Sequence, residues 1–216
     1  VLSNAQLAAL TAANIQGLHR DIVPVLSVTQ IQAIANGVVA QMSTSQIQAL
    51  STTQIPALET ADVASLTSTQ VKDIVAGQVA ALTTAQLKAL TSSNIVGINL
   101  ASVTSALSAI DSADFGFLNT SAVASIASEN LQYLTTNQLI ALTTTNITGL
   151  RVEGLSSQQL LAMDSADIGQ LTSTQIQNLT TSNVVGLTAP QVVALGTMVS
   201  HIETADVASL TSAQVK

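Results

Sequence analysis

The sequence predicts an all-α fold in which short helices form a solenoid of eight-residue helical repeats. Three observations support this fold class. One eight-residue repeat recurs through nearly the whole chain, and each copy carries a complete signal for the start of a helix. A fixed short period is also typical of solenoids, in which each repeat contacts mainly its neighbours.

The repeat is clearest in residues 82–97, which hold the two consecutive copies LTTAQLKA and LTSSNIVG. Position 1 is Leu, positions 2 and 3 are Ser or Thr, and position 4 varies. Position 5 is Gln, Asn or Asp, position 6 is Ile, Val or Leu, position 7 varies, and position 8 is Ala, Gly or Ser.

Positions 2 and 5 match a capping box at a helix start. The hydroxyl of Thr83 is predicted to accept a hydrogen bond from the Gln86 N–H, while the Gln86 side chain accepts one from the Thr83 N–H. Leu82 and Leu87 then occupy the two positions of a hydrophobic staple. One repeat allows only about one and a half helical turns, and such short helices are marginal in water. We therefore expect packing between neighbouring repeats to stabilise the fold.

A β-solenoid is the alternative fold. The repeats are rich in Thr, Val and Ile, which favour strands. Positions 1 and 6 are five residues apart, however, which places them on opposite faces of a strand. A β-solenoid would need chain turns between the two positions.

The pattern predicts one continuous repeat array over residues 1–216 instead of separate domains. From Leu2 to Ala106 the position 1 residues are eight apart without a break. Both ends of the chain fall inside an incomplete repeat, so we expect a fragment of a longer array. The register slips near residues 106–110, 150–155 and 195–202. We interpret these slips as kinks or bulged turns.

Asn at position 5 is usually followed by Gly at position 8. Because Gly suits a left-handed residue at a helix end, we expect these repeats to turn more sharply. The pairs are Asn14/Gly17, Asn94/Gly97, Asn146/Gly149 and Asn183/Gly186, with Asn130/Tyr133 as the exception.

Proline positions test the helical interpretation. Pro190 falls at the second helical position, where a missing N–H costs nothing. Pro24 and Pro56 fall at position 7, where a helix needs the donor, so their repeats are predicted to be short or irregular.

Few side chains are candidates for chemistry. His19 and His201 fit no metal-ligand spacing and are predicted to be structural. Four repeats carry paired carboxylates, which we interpret as favourable charges at helix N-termini. Weak calcium binding is the alternative, although calcium usually takes six or more oxygen ligands. The pairs are Glu59/Asp62, Asp111/Asp114, Asp164/Asp167 and Glu203/Asp206.

No nucleophile–base pair, phosphate-binding loop or basic patch is present in the sequence. We therefore predict no catalytic, cofactor-binding or metal-binding residues, no cofactor and no enzymatic activity. Phe115, Phe117 and Tyr133 are the only aromatic residues and follow the first slip. We expect them to fill a wider core there, with a binding patch as the alternative.

Composition excludes several classes of protein. The net charge is −7, with five Lys and Arg against 12 Asp and Glu, which argues against nucleic acid as a partner. No apolar run approaches the roughly 18 residues of a spanning helix, so no membrane span is expected. With 47% hydrophobic and 8% charged residues, disorder is not expected either. The absence of Cys excludes a disulfide framework.

The run LTTAQLKAL at residues 82–90 resembles the octapeptide arrays of long bacterial secreted or surface proteins. The resemblance covers nearly the whole chain. It implies an extracellular or cell-surface structural array, such as a fibre, a sheath or an adhesin stalk. It transfers no catalytic residues.

The sequence therefore predicts a structural repeat protein that forms part of an extracellular filament, sheath or adhesin stalk. We expect it to self-associate into a filament or to continue into further repeats. One alternative is an ice- or surface-binding solenoid, in which the Ser and Thr of positions 2 and 3 form a hydroxyl lattice. The other is a protein-binding scaffold.

Overall fold

The computed structural model describes residues 2–35 and 37–214 and shows an all-α repeat fold. Within these ranges there is no β-strand, and every regular element is a short α-helix or 3-10 helix. The predicted fold class is confirmed, and the β-solenoid alternative is wrong. The longest described α-helix has seven residues, and no described helix has the length and hydrophobicity of a membrane-spanning segment.

The chain divides into two compact units, Val1–Asp114 and Phe115–Lys216. The first contains the α-helices α1 (Asn4–Ala8), α2 (Val28–Gln32), α3 (Thr44–Gln48), α4 (Thr60–Ser65), α5 (Ser68–Asp73), α6 (Ala76–Ala81) and α7 (Thr84–Lys88). Helix α8 (Ser112–Phe115) ends on the first residue of the second unit. That unit continues with α9 (Thr120–Ser125), α10 (Thr136–Ile140), α11 (Ser157–Ala162), α12 (Ser165–Ile168), α13 (Ser173–Gln177), α14 (Ala189–Leu195) and α15 (Thr204–Val207).

Short 3-10 helices lie between some of the α-helices. In the first compact unit they are Ile15–Gly17, Arg20–Val25, Val39–Gln41, Ile55–Ala57, Ile95–Gly97 and Ser105–Ala109. In the second they are Ser128–Tyr133, Asn146–Gly149, Val152–Gly154, Val184–Gly186 and Gly196–His201.

Capping boxes start most of the described α-helices, as the sequence predicts. At α7 the Gln86 N–H donates to the Thr83 hydroxyl over 3.2 Å, and the Thr83 N–H donates to Gln86 Oε1 over 2.9 Å. Since each box satisfies two backbone donors that a helix start leaves unpaired, it defines where each repeat enters its helix. Complete boxes also occur at Ser3/Gln6, Ser27/Gln30, Ser43/Gln46, Thr67/Gln70, Thr135/Gln138, Ser156/Gln159, Thr172/Gln175 and Thr188/Gln191.

The prolines also behave as predicted. Pro24 and Pro56 lie in the 3-10 helices Arg20–Val25 and Ile55–Ala57, where the chain does not continue as an α-helix. Pro190 lies in the first turn of α14, where its missing N–H is tolerated.

The core consists mainly of positions 1 and 6. Leu82 and Leu87 are 7% and 1% exposed, and the corresponding residues of most described repeats are buried in the same way. At the first slip the core residue is not the one that the register indicates. Ala106 occupies position 1 but is only half-buried, whereas the next residue, Leu107, is fully buried. The slips contribute core residues of their own, since Val152 is also fully buried.

The aromatic prediction is correct for Phe115 and wrong for the other two residues. Phe115 occupies position 6 and is fully buried, whereas Phe117 and Tyr133 are 56% and 38% exposed. Both exposed rings occupy position 8. Position 8 holds Ala, Gly or Ser in most repeats, so these two rings are larger than the residues that usually occupy it.

Each compact unit is a stack of coils. Packed elements are about three repeats apart along the chain: α5 packs against Ile95–Gly97, α11 against Val184–Gly186, and α12 against α14. In these pairs a repeat lies on an earlier coil of the same compact unit, and the arrangement is that of a helical solenoid.

Candidate functional site: amide contacts between coils

The most distinctive polar feature is the buried amide side chain at position 5. Gln86 is 1% exposed and uses both ends of its amide. Its Oε1 accepts the capping-box hydrogen bond from Thr83, while its Nε2 donates to the backbone carbonyl oxygens of Ile55 and Leu58, each over 2.8 Å. One side chain thus starts its own helix and joins it to an earlier coil. We call the Nε2 or Nδ2 bonds of position 5 the inter-coil amide contacts.

Most of these contacts follow one rule, although a few amides reach position 7 in place of position 6, as Gln70 does on Ala40. The amide nitrogen reaches position 6 of the repeat four earlier and position 1 of the repeat three earlier, at separations of 31 and 28 residues. One coil therefore takes three to four repeats. The position 6 carbonyl also accepts a hydrogen bond within its own helix turn, as Ile55 does from the Leu58 N–H over 3.2 Å, so the amide adds a second donor to it. The rule also holds for Gln46 on Ile15 and Leu18, Gln54 on Val23 and Leu26, Gln78 on Ile47 and Leu50, and Gln191 on Leu160 and Met163.

The second register slip leaves this rule intact. After the five-residue step at 150–155, Gln159 donates to the carbonyls of Leu131 and Leu134 at separations of 28 and 25 residues. These are again positions 6 and 1 of earlier repeats. The step shortens the separation by three residues and changes no partner type, so the slip resets the register while the coils stay joined.

Asn at position 5 makes similar contacts with a shorter side chain. Asn146 Nδ2 donates to the Leu118 carbonyl, and Asn183 Nδ2 to the Val152 carbonyl, each over 2.9 Å. Because Asn is one methylene shorter than Gln, the backbone must lie closer to the coil that it contacts. These repeats form 3-10 helices that end in Gly, namely Ile15–Gly17, Ile95–Gly97, Asn146–Gly149 and Val184–Gly186.

The glycine of these repeats has a different role from the predicted one. No described Gly of an Asn repeat has a positive φ, so the left-handed conformation expected there is wrong. A Cβ on Gly149 would collide with the Thr120 carbonyl oxygen, and one on Gly186 with that of Ser157. In the second compact unit, Gly therefore allows the close approach of two coils.

The paired carboxylates divide between helix caps and buried groups. Asp111 Oδ1 accepts from the Ala113 N–H over 2.9 Å, and Asp164 Oδ1 accepts from the Ala166 N–H over 2.7 Å, as expected of residues at helix starts. The second Asp of each pair occupies position 5. Burial raises the pKa of these carboxyl groups, as do the neighbouring acidic side chains; the groups are Asp62, Asp114, Asp167 and Asp206.

The other candidate residues are not brought together. His19 is exposed at the start of Arg20–Val25, where its Nδ1 accepts from the Asp21 N–H over 3.4 Å. His201 ends the 3-10 helix Gly196–His201, in the other compact unit. Within the described part of the chain, no three His, Asp or Glu side chains are grouped so that they could hold a metal ion.

Comparison with known proteins agrees with the repeat architecture. A search of curated proteins found no match to the chain. A sequence model for the ALTTAQ repeat matches residues 55–92, 107–144 and 160–197, which together are more than half of the chain. The letters ALTTAQ themselves stand at residues 81–86, where they run from position 8 of one repeat to position 5 of the next. The chain therefore belongs to the ALTTAQ repeat family.

Proposed function

We propose that this chain is a structural segment of an extracellular filament, sheath or adhesin stalk, and that its role is mechanical cohesion. The observation that carries this proposal is the set of inter-coil amide contacts. Successive coils in each compact unit are joined by buried hydrogen bonds in addition to apolar packing. Buried polar bonds of this kind are costly to break, because their donors and acceptors would be left without partners.

The repetition of the contacts supports a load-bearing role. Most described repeats with Gln or Asn at position 5 add one such side chain, so neighbouring coils are held at several points. We propose that the chain has no enzymatic activity, because most of its buried amide side chains are hydrogen-bonded to backbone groups. The extracellular or cell-surface location rests on the resemblance of the LTTAQLKA repeats to arrays in bacterial secreted proteins.

Self-association forms part of the proposal. Only 8% of the residues are charged, so repulsion between neighbouring molecules is weak. Repeats that stack in one direction form head-to-tail contacts, and such contacts generate open filaments when the rotation does not close.

Electron microscopy of the native material tests this function. We expect fibres or a sheath in which antibodies against the repeats label the filament along its length. A compact native monomer with distinct end domains, with neither fibre nor sheath, would contradict the proposal and favour the protein-binding scaffold. Thermal hysteresis at low protein concentration would instead favour ice binding.

A further inference from the structure

Asp167 and Asp206 occupy position 5, where other repeats carry the amides that join the coils. They are 7% and 4% exposed. Within the described residues, neither carboxylate accepts a hydrogen bond or forms an ion pair. Both side chains are therefore mostly buried at the point where a coil is normally joined to an earlier one, and their carboxylate oxygens keep some contact with solvent.

The repeats on either side of Asp167 indicate which backbone carbonyls correspond to it in the repeat pattern. Gln159 and Gln175, eight residues before and after it, donate to carbonyls at separations of 28 and 25 residues. The same separations assign the carbonyls of Leu139 and Leu142 to Asp167. The corresponding repeat positions assign those of Ile176 and Leu179 to Asp206.

The protonation state of a carboxyl group determines whether it can donate a hydrogen bond at this position. An ionised carboxylate has no proton to donate, and the carbonyl oxygens that the repeat pattern assigns to it are also acceptors. A protonated carboxyl group has one O–H donor, and it can form the bond that Gln or Asn forms in other repeats. Burial raises the pKa of both Asp167 and Asp206, and the nearby Asp164 and Glu203 raise it further.

We propose that Asp167 and Asp206 are acid-closed contacts: when protonated, each donates a hydrogen bond to a carbonyl of the earlier coil and stabilises the second compact unit. The other charged groups near them are few. Asp164 and Glu203 precede them on their own helices, and His201 lies just before α15. Helix α14, which packs against α12, has no titratable side chain, and neither has α10 or α13.

The direction of the pH effect follows from the raised pKa. The folded state binds these protons more tightly than the unfolded state does. The stabilisation is therefore fully present below the unfolded pKa and is lost as the pH rises through the folded pKa. Acidification from neutral pH should raise the melting temperature, whereas carboxylates held by ion pairs would have the opposite effect.

Thermal melting of the full chain between about pH 4 and pH 7 tests the proposal. Asp167→Asn and Asp206→Asn supply a permanent donor and should each raise the melting temperature at pH ~7 by roughly 2–4 °C. Each should also reduce the gain that the parent shows on acidification. Glu153→Gln is the matched control, because it removes the same charge from an exposed site in the same compact unit. Glu153→Gln should leave the rise in melting temperature on acidification unchanged.

Two further measurements separate a hydrogen bond from the loss of a charge. Asp167→Ala removes the carboxylate without adding a donor, so it should be less stable than Asp167→Asn at neutral pH. Carboxyl-carbon NMR of the unsubstituted chain should show Asp167 titrating above its ordinary range. The proposal would be overturned if the Ala and Asn variants were equally stable, or if Asp167→Asn showed the same rise in melting temperature on acidification as the parent. Titration of Asp167 within its ordinary range would also overturn it.

Discussion

Replacing Gln86 by Ala removes a complete inter-coil amide contact from the first compact unit. The substitution deletes the acceptor of the Thr83 N–H at 2.9 Å and the donor to the carbonyls of Ile55 and Leu58, each at 2.8 Å. Because Gln86 is 1% exposed, water cannot replace these bonds without entering the interior. The substitution therefore weakens both the start of α7 and the hydrogen bonding of α7 to an earlier coil.

Three hydrogen bonds at about 1 kcal/mol each predict a loss of about 3 kcal/mol in the free energy of unfolding. In a chain of this size, 1 kcal/mol corresponds to a shift of about 2–4 °C, so the melting temperature should fall by roughly 6–12 °C. Urea unfolding followed by far-ultraviolet circular dichroism measures the free energy directly.

Gln32→Ala provides the control for this measurement. Gln32 is an exposed residue at the end of α2, and its side chain forms no hydrogen bond with the described residues. Its replacement should change stability by no more than about 0.5 kcal/mol. If Gln86→Ala costs no more than Gln32→Ala, the inter-coil amide contacts do not hold the coils together, and the proposed mechanical role loses its support.

Three more predictions concern the repeat, the glycines and metal ions. Deleting residues 82–89 should leave a folded protein, since every contact finds an equivalent position in the next repeat, whereas deleting four residues should misplace the apolar positions; identical melting of both deletions and the parent would refute this. Gly186→Ala should destabilise the chain by about 1–3 kcal/mol through collision with Ser157, while Gly17→Ala, with no atom within 4 Å of the added carbon, should not; urea unfolding of both variants tests this. A chelator should leave the melting temperature nearly unchanged, and a large fall would instead assign the paired carboxylates to a metal site.

Local features of the fold could be predicted because their partners lie within one repeat. The capping box between Thr83 and Gln86 and the irregular helices at Pro24 and Pro56 depend on residues three or four positions apart. All the residues that form such features lie within one eight-residue repeat.

The contacts between coils could not be predicted in the same way. The carbonyls that Gln86 reaches are 31 and 28 residues away, and only the size of a coil identifies them. For the same reason, the sequence predicts a left-handed turn at the Gly that accompanies Asn, whereas Gly186 instead allows a distant backbone segment to approach closely. The side chains of Phe117 and Tyr133 were expected inside because no local pattern indicates how narrow the core is.

The rule that joins the coils refers only to positions within a repeat and never to a particular residue number. Any copy can therefore serve as the partner of any other that lies three or four repeats away. A gene that encodes such a chain can gain or lose whole repeats by duplication or slippage during replication, and each product still satisfies the same bonds. Proteins built in this way are expected to differ in their number of repeats, because the bonding rule sets no total number.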